Sequence, residues 1–277
     1  MDGSESFIEL APANAARWAH ELAAREIPVL GATADALESM RANEDAFDAN
    51  AIGEVIAIDP LMTLKVLVHE AAHRGSRVVT EQRTVTSALV MLGISPFFRA
   101  FGPQTAVEDQ LAPVPEALAG FKRCLARARR GADIALAFAV HRADPDAASL
   151  HASVLLHEAA QMLVWCHAPA LARRVDEALR SEDGLRSSAA QARTLHASYD
   201  AIQQALAERW NLVSLLSETP EVGRSPRPSD RIREIAVRMA RHAGLPFDHP
   251  ALVDDIAEAG DVLNLAPDAT LRLVQDI

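Results

Sequence analysis

The residues whose types and spacing could most directly do chemistry are His69, Glu70 and His73, which form a His-Glu-Ala-Ala-His run. On a helix, histidines four residues apart face the same side and can chelate Zn²⁺, while the glutamate between them can act as the general base of a hydrolysis. A zinc peptidase also needs a third ligand. The extended motif would place a histidine where Val79 stands, and Glu81 is too close in sequence. The alternative is a pair of histidines on a half-buried helix.

A second pair, His157 followed by Glu158, lies in the apolar run 154–160, which we predict to be helical. It is similar to the His-Asp pair of metal-dependent phosphohydrolases. In those enzymes the pair, another histidine and a distant aspartate hold a metal that activates water. The alternative is a buried polar pair that hydrogen-bonds neighbouring helices. These residues alone leave both interpretations open.

A basic cluster occupies the helix that we predict over 121–140. Spacings of four and three place Arg123, Arg127 and Arg130 on one face, with Lys122 and Arg129 close by. Such a face can contact an anionic partner or nucleotide phosphates. It can equally be a solvated face that balances part of the acidic excess, and the sequence leaves both open.

Composition excludes several classes of protein. The net charge is -11, from 27 basic and 38 acidic residues, whereas nucleic-acid binders usually carry a basic face. The apolar run 154–165 is too short to span a bilayer, and the first seven residues are not a signal peptide. Cys124 and Cys166 form no CxxC pair, which indicates reduced thiols. We expect a cytoplasmic protein that binds neither nucleic acid nor membrane.

The elements that would position these residues all have helical periodicity, and no convincing run alternates with period two. Thr33 is the predicted cap of the second helix. An interruption of the helix over 189–210 is left open, and one or two turns are expected within 261–277. The predicted helices span 14–25, 33–40, 51–58, 61–73, 84–92, 121–140, 149–167, 171–179, 189–210, 230–243 and 252–259.

Two clusters of proline and glycine, at 102–115 and 220–228, divide the chain. We therefore predict an all-α fold with two helical lobes and a short helical C-terminal extension. The predicted divisions are an N-terminal helical segment at 1–21, a first lobe at 22–110, a second lobe at 111–216, and a linker with C-terminal helices at 217–277.

Several ordered blocks within residues 22–216 resemble the HDOD family, whose members are catalytically degenerate relatives of the HD phosphohydrolases in bacterial signalling. The blocks are similar to the family's LPxLP start, its IxxDPxLxxxLL core, its helix ending in LG, its LLHD site and its LxxRWxLP segment. In this chain they read IPVL at 27–30, AIGEVIAIDPLMTLKVL at 51–67, TVTSALVMLGI at 84–94, LLHE at 155–158 and LAERWNL at 206–212.

The departures from the family pattern concern the metal ligands. FKRC at 121–124 stands where the family often has WxHS, which puts Arg123 at the first ligand histidine. A guanidinium has no lone pair to offer a metal. Glu158 replaces the aspartate of the pair. Tyr199 stands about where many members have a histidine, with His196 three residues away. The resemblance thus implies that a binuclear metal centre is lost.

From these observations we predict a non-enzymatic signalling protein whose HDOD domain is a platform for a protein partner, with no catalytic residue, metal or cofactor. The resemblance implies a partner in bacterial regulation, with cyclic-dinucleotide signalling enzymes as one example, and no residue names it. The first alternative is a metal-dependent phosphohydrolase that uses His157 and Glu158. The second is a zinc peptidase that uses His69, Glu70 and His73.

Overall fold

The computed structural model describes residues 6–73, 83–216, 227–246 and 249–277. Within these ranges every regular element is a helix, apart from one isolated parallel bridge between Val29 and Ala106. The predicted all-α fold is confirmed. The chain forms two compact units: unit 1 comprises Met1–Cys124 and Glu158–Ser217, and unit 2 comprises Leu125–His157 and Glu218–Ile277. The boundaries predicted from the sequence stay a prediction.

The helices of the described ranges are short, with the exception of α8. A 3-10 turn at Glu44–Ala46 follows α2. In chain order the helices are α1 (Ala15–Ala23), α2 (Gly31–Arg41), α3 (Ala49–Ala57), α4 (Pro60–His73), α5 (Val85–Leu92), α6 (Ile94–Ala100), α7 (Val107–Gln110), α8 (Pro115–His141), α9 (Ala147–Leu155), α10 (Ala159–His167), α11 (Pro169–Ser181), α12 (Ser187–Leu195), α13 (Tyr199–Arg209), α14 (Val213–Leu216), α15 (Pro228–Arg241), α16 (Pro250–Leu263) and α17 (Pro267–Gln275).

The starts of several helices in unit 1 follow from local sequence. Asn14, Asp48 and Thr84 precede α1, α3 and α5, and each side chain accepts a hydrogen bond from the backbone N–H three residues further on. These short polar side chains satisfy donors that a helix start leaves without a partner. The prediction that Thr33 caps α2 is wrong, because α2 begins at Gly31 and Thr33 lies inside it.

The carboxylate of Asp59 connects the start of α4 to the start of α2. Asp59 is fully buried and accepts hydrogen bonds from the backbone N–H groups of Leu61, Met62 and Leu30, at 2.9, 3.0 and 2.8 Å. The side chain of Thr33 adds a fourth bond. Burial raises the pKa of Asp59, and the four hydrogen bonds oppose that rise. One side chain therefore caps α4 and ties α2 to it.

The first turns of α8 pack closely against α10 within unit 1. Trp165 of α10 is buried, and a Cβ atom added at Gly120 would lie 2.4 Å from its ring. Only glycine leaves room for the ring at this distance. This contact places the start of α8 against the last turn of α10.

Unit 2 is built around a core to which the C-terminal helices contribute. Residues of α15, α16 and α17 pack with the second part of α8 and with α9. None of the helices in the described ranges is long and apolar enough to cross a membrane. The buried core residues are Ile134, Ala135, Phe138, Ala139, Leu150, Val154, Ile232, Ile235, Ala236, Val237, Met239, Leu252, Ile256, Ala259, Val262, Leu263 and Val274.

Candidate functional site

The pair of His157 and Glu158 lies on a turn at 156–158 that separates α9 from α10. The prediction of one helix over 149–167 is therefore wrong. No glycine or proline marks this turn, so the continuous apolar pattern concealed it. The boundary between the two units falls within this pair, since Glu158 belongs to unit 1 and His157 to unit 2.

The carboxylate of Glu158 binds a thiol on α8. Cys124 is fully buried, and its Sγ atom donates to Oε2 of Glu158 at 2.8 Å. The same sulfur lies 3.9 Å from the backbone carbonyl oxygen of Glu158. One oxygen of the Glu158 carboxylate is thus engaged by a proton donor.

Arg123, which we predict to stand at the first ligand histidine of the family, pairs through Nη2 with the carboxylate of Asp176 on α11. A second guanidinium lies at the same carboxylate, because Arg180 Nη2 is 3.8 Å from Asp176 Oδ2. Arg180 also donates from Nε to the backbone carbonyl of Asp176 at 3.2 Å. These residues and Leu179 line an open groove of about 410 Å³. Two cations and one anion therefore lie together at this groove.

The imidazole of His157 contacts a residue of α15. Nη2 of Arg241 lies 3.0 Å from Nε2 of His157. Since a guanidinium can only donate hydrogen bonds, Nε2 of His157 is the acceptor. The lone pair of Nε2 is therefore directed to Arg241.

Tyr199 and His196, which the resemblance placed near a further ligand position, each contact another part of unit 1. Tyr199 is buried, and its backbone N–H donates to Gln191 Oε1 at 2.9 Å. His196 ends α12 with a φ of 58°, and its Nδ1 lies 3.3 Å from the carbonyl oxygen of Pro12. The interruption left open within 189–210 falls at residues 196–198, between α12 and α13.

His69 and His73 lie at the C-terminal end of α4 with their ring centroids 4.1 Å apart. His73 Nδ1 is 2.7 Å from the carbonyl oxygen of His69. Partial burial, and secondly the neighbouring His73, lower the pKa of His69. Within the described ranges, no three His, Cys, Asp or Glu residues are close enough to hold a metal ion together. Val79 and Glu81 lie outside those ranges.

The basic cluster of α8 is shared between the two units. Arg123 belongs to unit 1, whereas Arg127 and Arg130 belong to unit 2. Arg130 lines a cavity of about 40 Å³ with His242 and apolar side chains, which is room for only one or two water molecules. The interpretation of this face as a binding surface and its interpretation as a solvated face both stay open.

Sequence reasoning missed the partners of the candidate residues. Asp176, Arg241 and the thiol of Cys124 carried no signal of a site. Gln203 was also missed: it is buried, and its Oε1 accepts from the backbone N–H of Ala160 at 2.8 Å, next to Glu158. Of these, only Cys124 is adjacent in sequence to a residue already singled out, Arg123.

Comparison with known protein families identifies the family of this chain. The HDOD domain model matches residues 27–222, well over half of the chain. The chain belongs to the HDOD domain family. A search of curated proteins gives no match for this HDOD protein.

Solved structures with a similar fold include the MmoQ response regulator from Methylococcus capsulatus strain Bath. It has 19% sequence identity and a TM-score of 0.66, and the match covers 90% of this chain and 98% of the other. A fragment of MmoQ matches with 18% identity and a TM-score of 0.58, over 86% of this chain and 94% of the other. An HDOD domain protein of unknown function from Geobacter sulfurreducens has 14% identity and a TM-score of 0.47, over 94% and 93% of the two chains. At these identities the likeness to MmoQ supports the fold.

Proposed function

We propose that this HDOD protein is a non-enzymatic bacterial signal-transduction protein that acts as a platform for a protein partner, such as a signalling enzyme. The pairing of Arg123 with Asp176 is the observation that carries the proposal. A guanidinium offers no lone pair to a metal and stays protonated at any physiological pH. The positive charge of Arg123 is balanced by the negative charge of the Asp176 carboxylate. Position 123 therefore forms an ion pair and offers no ligand to a metal.

The other two candidate ligands support the same conclusion. Glu158 accepts from the Cys124 thiol, and His157 Nε2 accepts from Arg241. A phosphohydrolase of this class depends on metal-bound water as the nucleophile, so the loss of the ligand set removes the reaction. Without a metal centre the domain still presents a helical surface, and such a surface can bind a protein partner.

The test is metal binding and phosphoester hydrolysis by the purified chain. We expect titration with Mn²⁺, Fe²⁺ and Zn²⁺ to give less than about a tenth of an equivalent bound, and no turnover of a phosphodiester panel, because water needs a metal to be activated here. Metal-dependent turnover that is lost in Glu158→Gln and kept in Glu54→Gln would refute the proposal. Glu54 is a suitable control because it is exposed on α3.

The peptidase alternative is tested separately with casein and a general peptide library. We expect no zinc-dependent cleavage. Cleavage that is lost in both His69→Ala and Glu70→Gln would replace our proposal with a zinc peptidase, because these substitutions remove a ligand and the general base.

A further inference from the structure

The groove beside Arg123 has the features of a docking site, which bears on the partner in the proposed function. Its lining consists of Arg123 from α8 and of Asp176, Leu179 and Arg180 from α11. At about 410 Å³ it can hold one or two side chains of another molecule. All four residues belong to unit 1.

The charge of this groove is opposite to that of the chain. Two guanidiniums and one carboxylate leave it with one positive charge, whereas the whole chain carries -11. The Arg123 and Arg180 side chains are 56% and 70% exposed, and the Asp176 side chain that orients them is 25% exposed. Only part of each five-donor guanidinium is used by Asp176, so outward-facing N–H groups are available to a partner.

The groove also has an apolar component. Leu179 is 36% exposed between the charged residues of α11. An aliphatic side chain packed against it would gain apolar burial next to the ionic contacts. The combination of oriented arginines and an exposed leucine is typical of the mixed polar and apolar contacts of protein interfaces.

We propose that this groove binds an acidic segment of the protein partner, in which a carboxylate side chain contacts Arg123 and Arg180 and a neighbouring aliphatic side chain contacts Leu179. The proposal rests on the platform function. A carboxylate fits the site better than a phosphate does, because its single negative charge matches the single net positive charge. A phosphate dianion would add a second charge facing the Asp176 carboxylate, which stands between the two arginines.

The probe is a fluorescein-labelled ten-residue peptide of alternating glutamate and leucine, followed by fluorescence anisotropy at low salt. The matched peptide carries glutamine in place of glutamate. We expect the acidic peptide to bind at least about tenfold more tightly than the glutamine peptide, and binding to weaken as salt is added. The double variant Arg123→Gln with Arg180→Gln should lose at least about tenfold in affinity, since both guanidiniums are removed.

The control variant is Arg174→Gln, because Arg174 is exposed on α11 and helical geometry places it about 200° from Asp176. We expect it to bind the acidic peptide as the wild type does. Thermal unfolding of all variants separates lost binding from lost folding, and glutamine avoids introducing new repulsion at Asp176.

Three results would overturn the docking proposal: no binding of the acidic peptide, equal binding of the glutamine peptide, or equal losses in the Arg174 control and in the double variant. Displacement of the peptide by inorganic phosphate or a cyclic dinucleotide at equal concentration would also overturn it, in favour of a small phosphate ligand. None of these results would refute the platform function, because that function is refuted by catalytic turnover of a phosphoester or a peptide.

Discussion

Asp59 and Arg123 occupy two positions of unit 1 that use a carboxylate in opposite ways. Asp59 is fully buried, and its four partners are backbone N–H groups and one hydroxyl of the same unit. Arg123 is 56% exposed and bonds the Asp176 side chain at the wall of an open groove. The hydrogen bonds of the Asp59 carboxylate lie in the core, where another molecule cannot replace them. The Asp176 carboxylate lies at a groove that solvent and other molecules can reach.

This difference indicates which part of the HDOD domain carries structure and which can carry recognition. A buried polar group must keep its hydrogen bonds, because each one left without a partner costs about 1–3 kcal/mol. An exposed ion pair costs little to exchange, because water already competes for both partners. We therefore expect large stability effects and no binding effects at Asp59, and the reverse at Arg123.

The largest effect is predicted for Asp59→Ala. The substitution leaves the backbone N–H groups of Leu30, Leu61 and Met62 without their acceptor inside the core. We expect a loss of about 3–5 kcal/mol in the free energy of unfolding, measured by urea denaturation followed by circular dichroism.

The control for this variant is Asp48→Ala, which removes an exposed helix cap, the bond from the Ala51 N–H at 2.8 Å. Loss of such a cap is expected to cost about 1 kcal/mol. Equal losses at the two positions would contradict the distinction between a buried carboxylate and an exposed one.

A second, intermediate effect concerns the pH dependence of stability through His167. His167 is 3% exposed, and burial, followed by the charge of Arg25, lowers its pKa from 6.5 to about 4. Between pH 4 and pH 6.5 the unfolded chain binds a proton at His167 and the folded chain does not. The contribution of His167 to the free energy of unfolding is therefore full above pH 6.5 and is lost as the pH falls towards 4. The shift corresponds to on the order of 3 kcal/mol.

The measurement is urea denaturation at pH 7 and pH 5 for the wild type and for His167→Gln. We expect the wild type to lose more stability between the two values than the variant does, because only the wild type carries the buried imidazole. His20→Gln, at an exposed position of α1, should behave as the wild type does. If His167→Gln has the same pH dependence as the wild type, His167 does not cause it.

The smallest effect on stability is predicted for Arg123→Ala. The variant removes an exposed ion pair with Asp176, for which we expect less than about 1 kcal/mol in unfolding by urea, and less still at high salt. A loss of several kcal/mol would show that Arg123 is a structural residue like Asp59 and would remove the contrast between them.

Much of the fold could be predicted because its signals are local. Asn14, Asp48 and Thr84 act as helix caps as their residue types indicate, and the 3.6-residue periodicity predicts α4 almost to its ends. The failures occur where a distant contact overrides a local preference. Thr33 has the residue type of a cap, yet Asp59 binds its side chain and α2 begins two residues earlier.

The candidate site could be predicted only in part. Arg123, His157 and Glu158 were identified from their positions in the family pattern. Their partners were not, because a sequence does not show which side chains meet across long separations. The partners Asp176, Arg241 and Cys124 are 53, 84 and 34 positions away from them.

The sequence by itself determined the all-α fold and the family, because helical periodicity, residue types and motif order can be recognised within short windows. Only the tertiary structure decided which side chains Arg123, His157 and Glu158 meet. Packing of α8 against α10 and α11 brings Cys124 to Glu158 and Arg123 to Asp176. The turn at 156–158, which carries His157 and Glu158, also separates α9 from α10, and the continuous apolar pattern of the sequence did not reveal it.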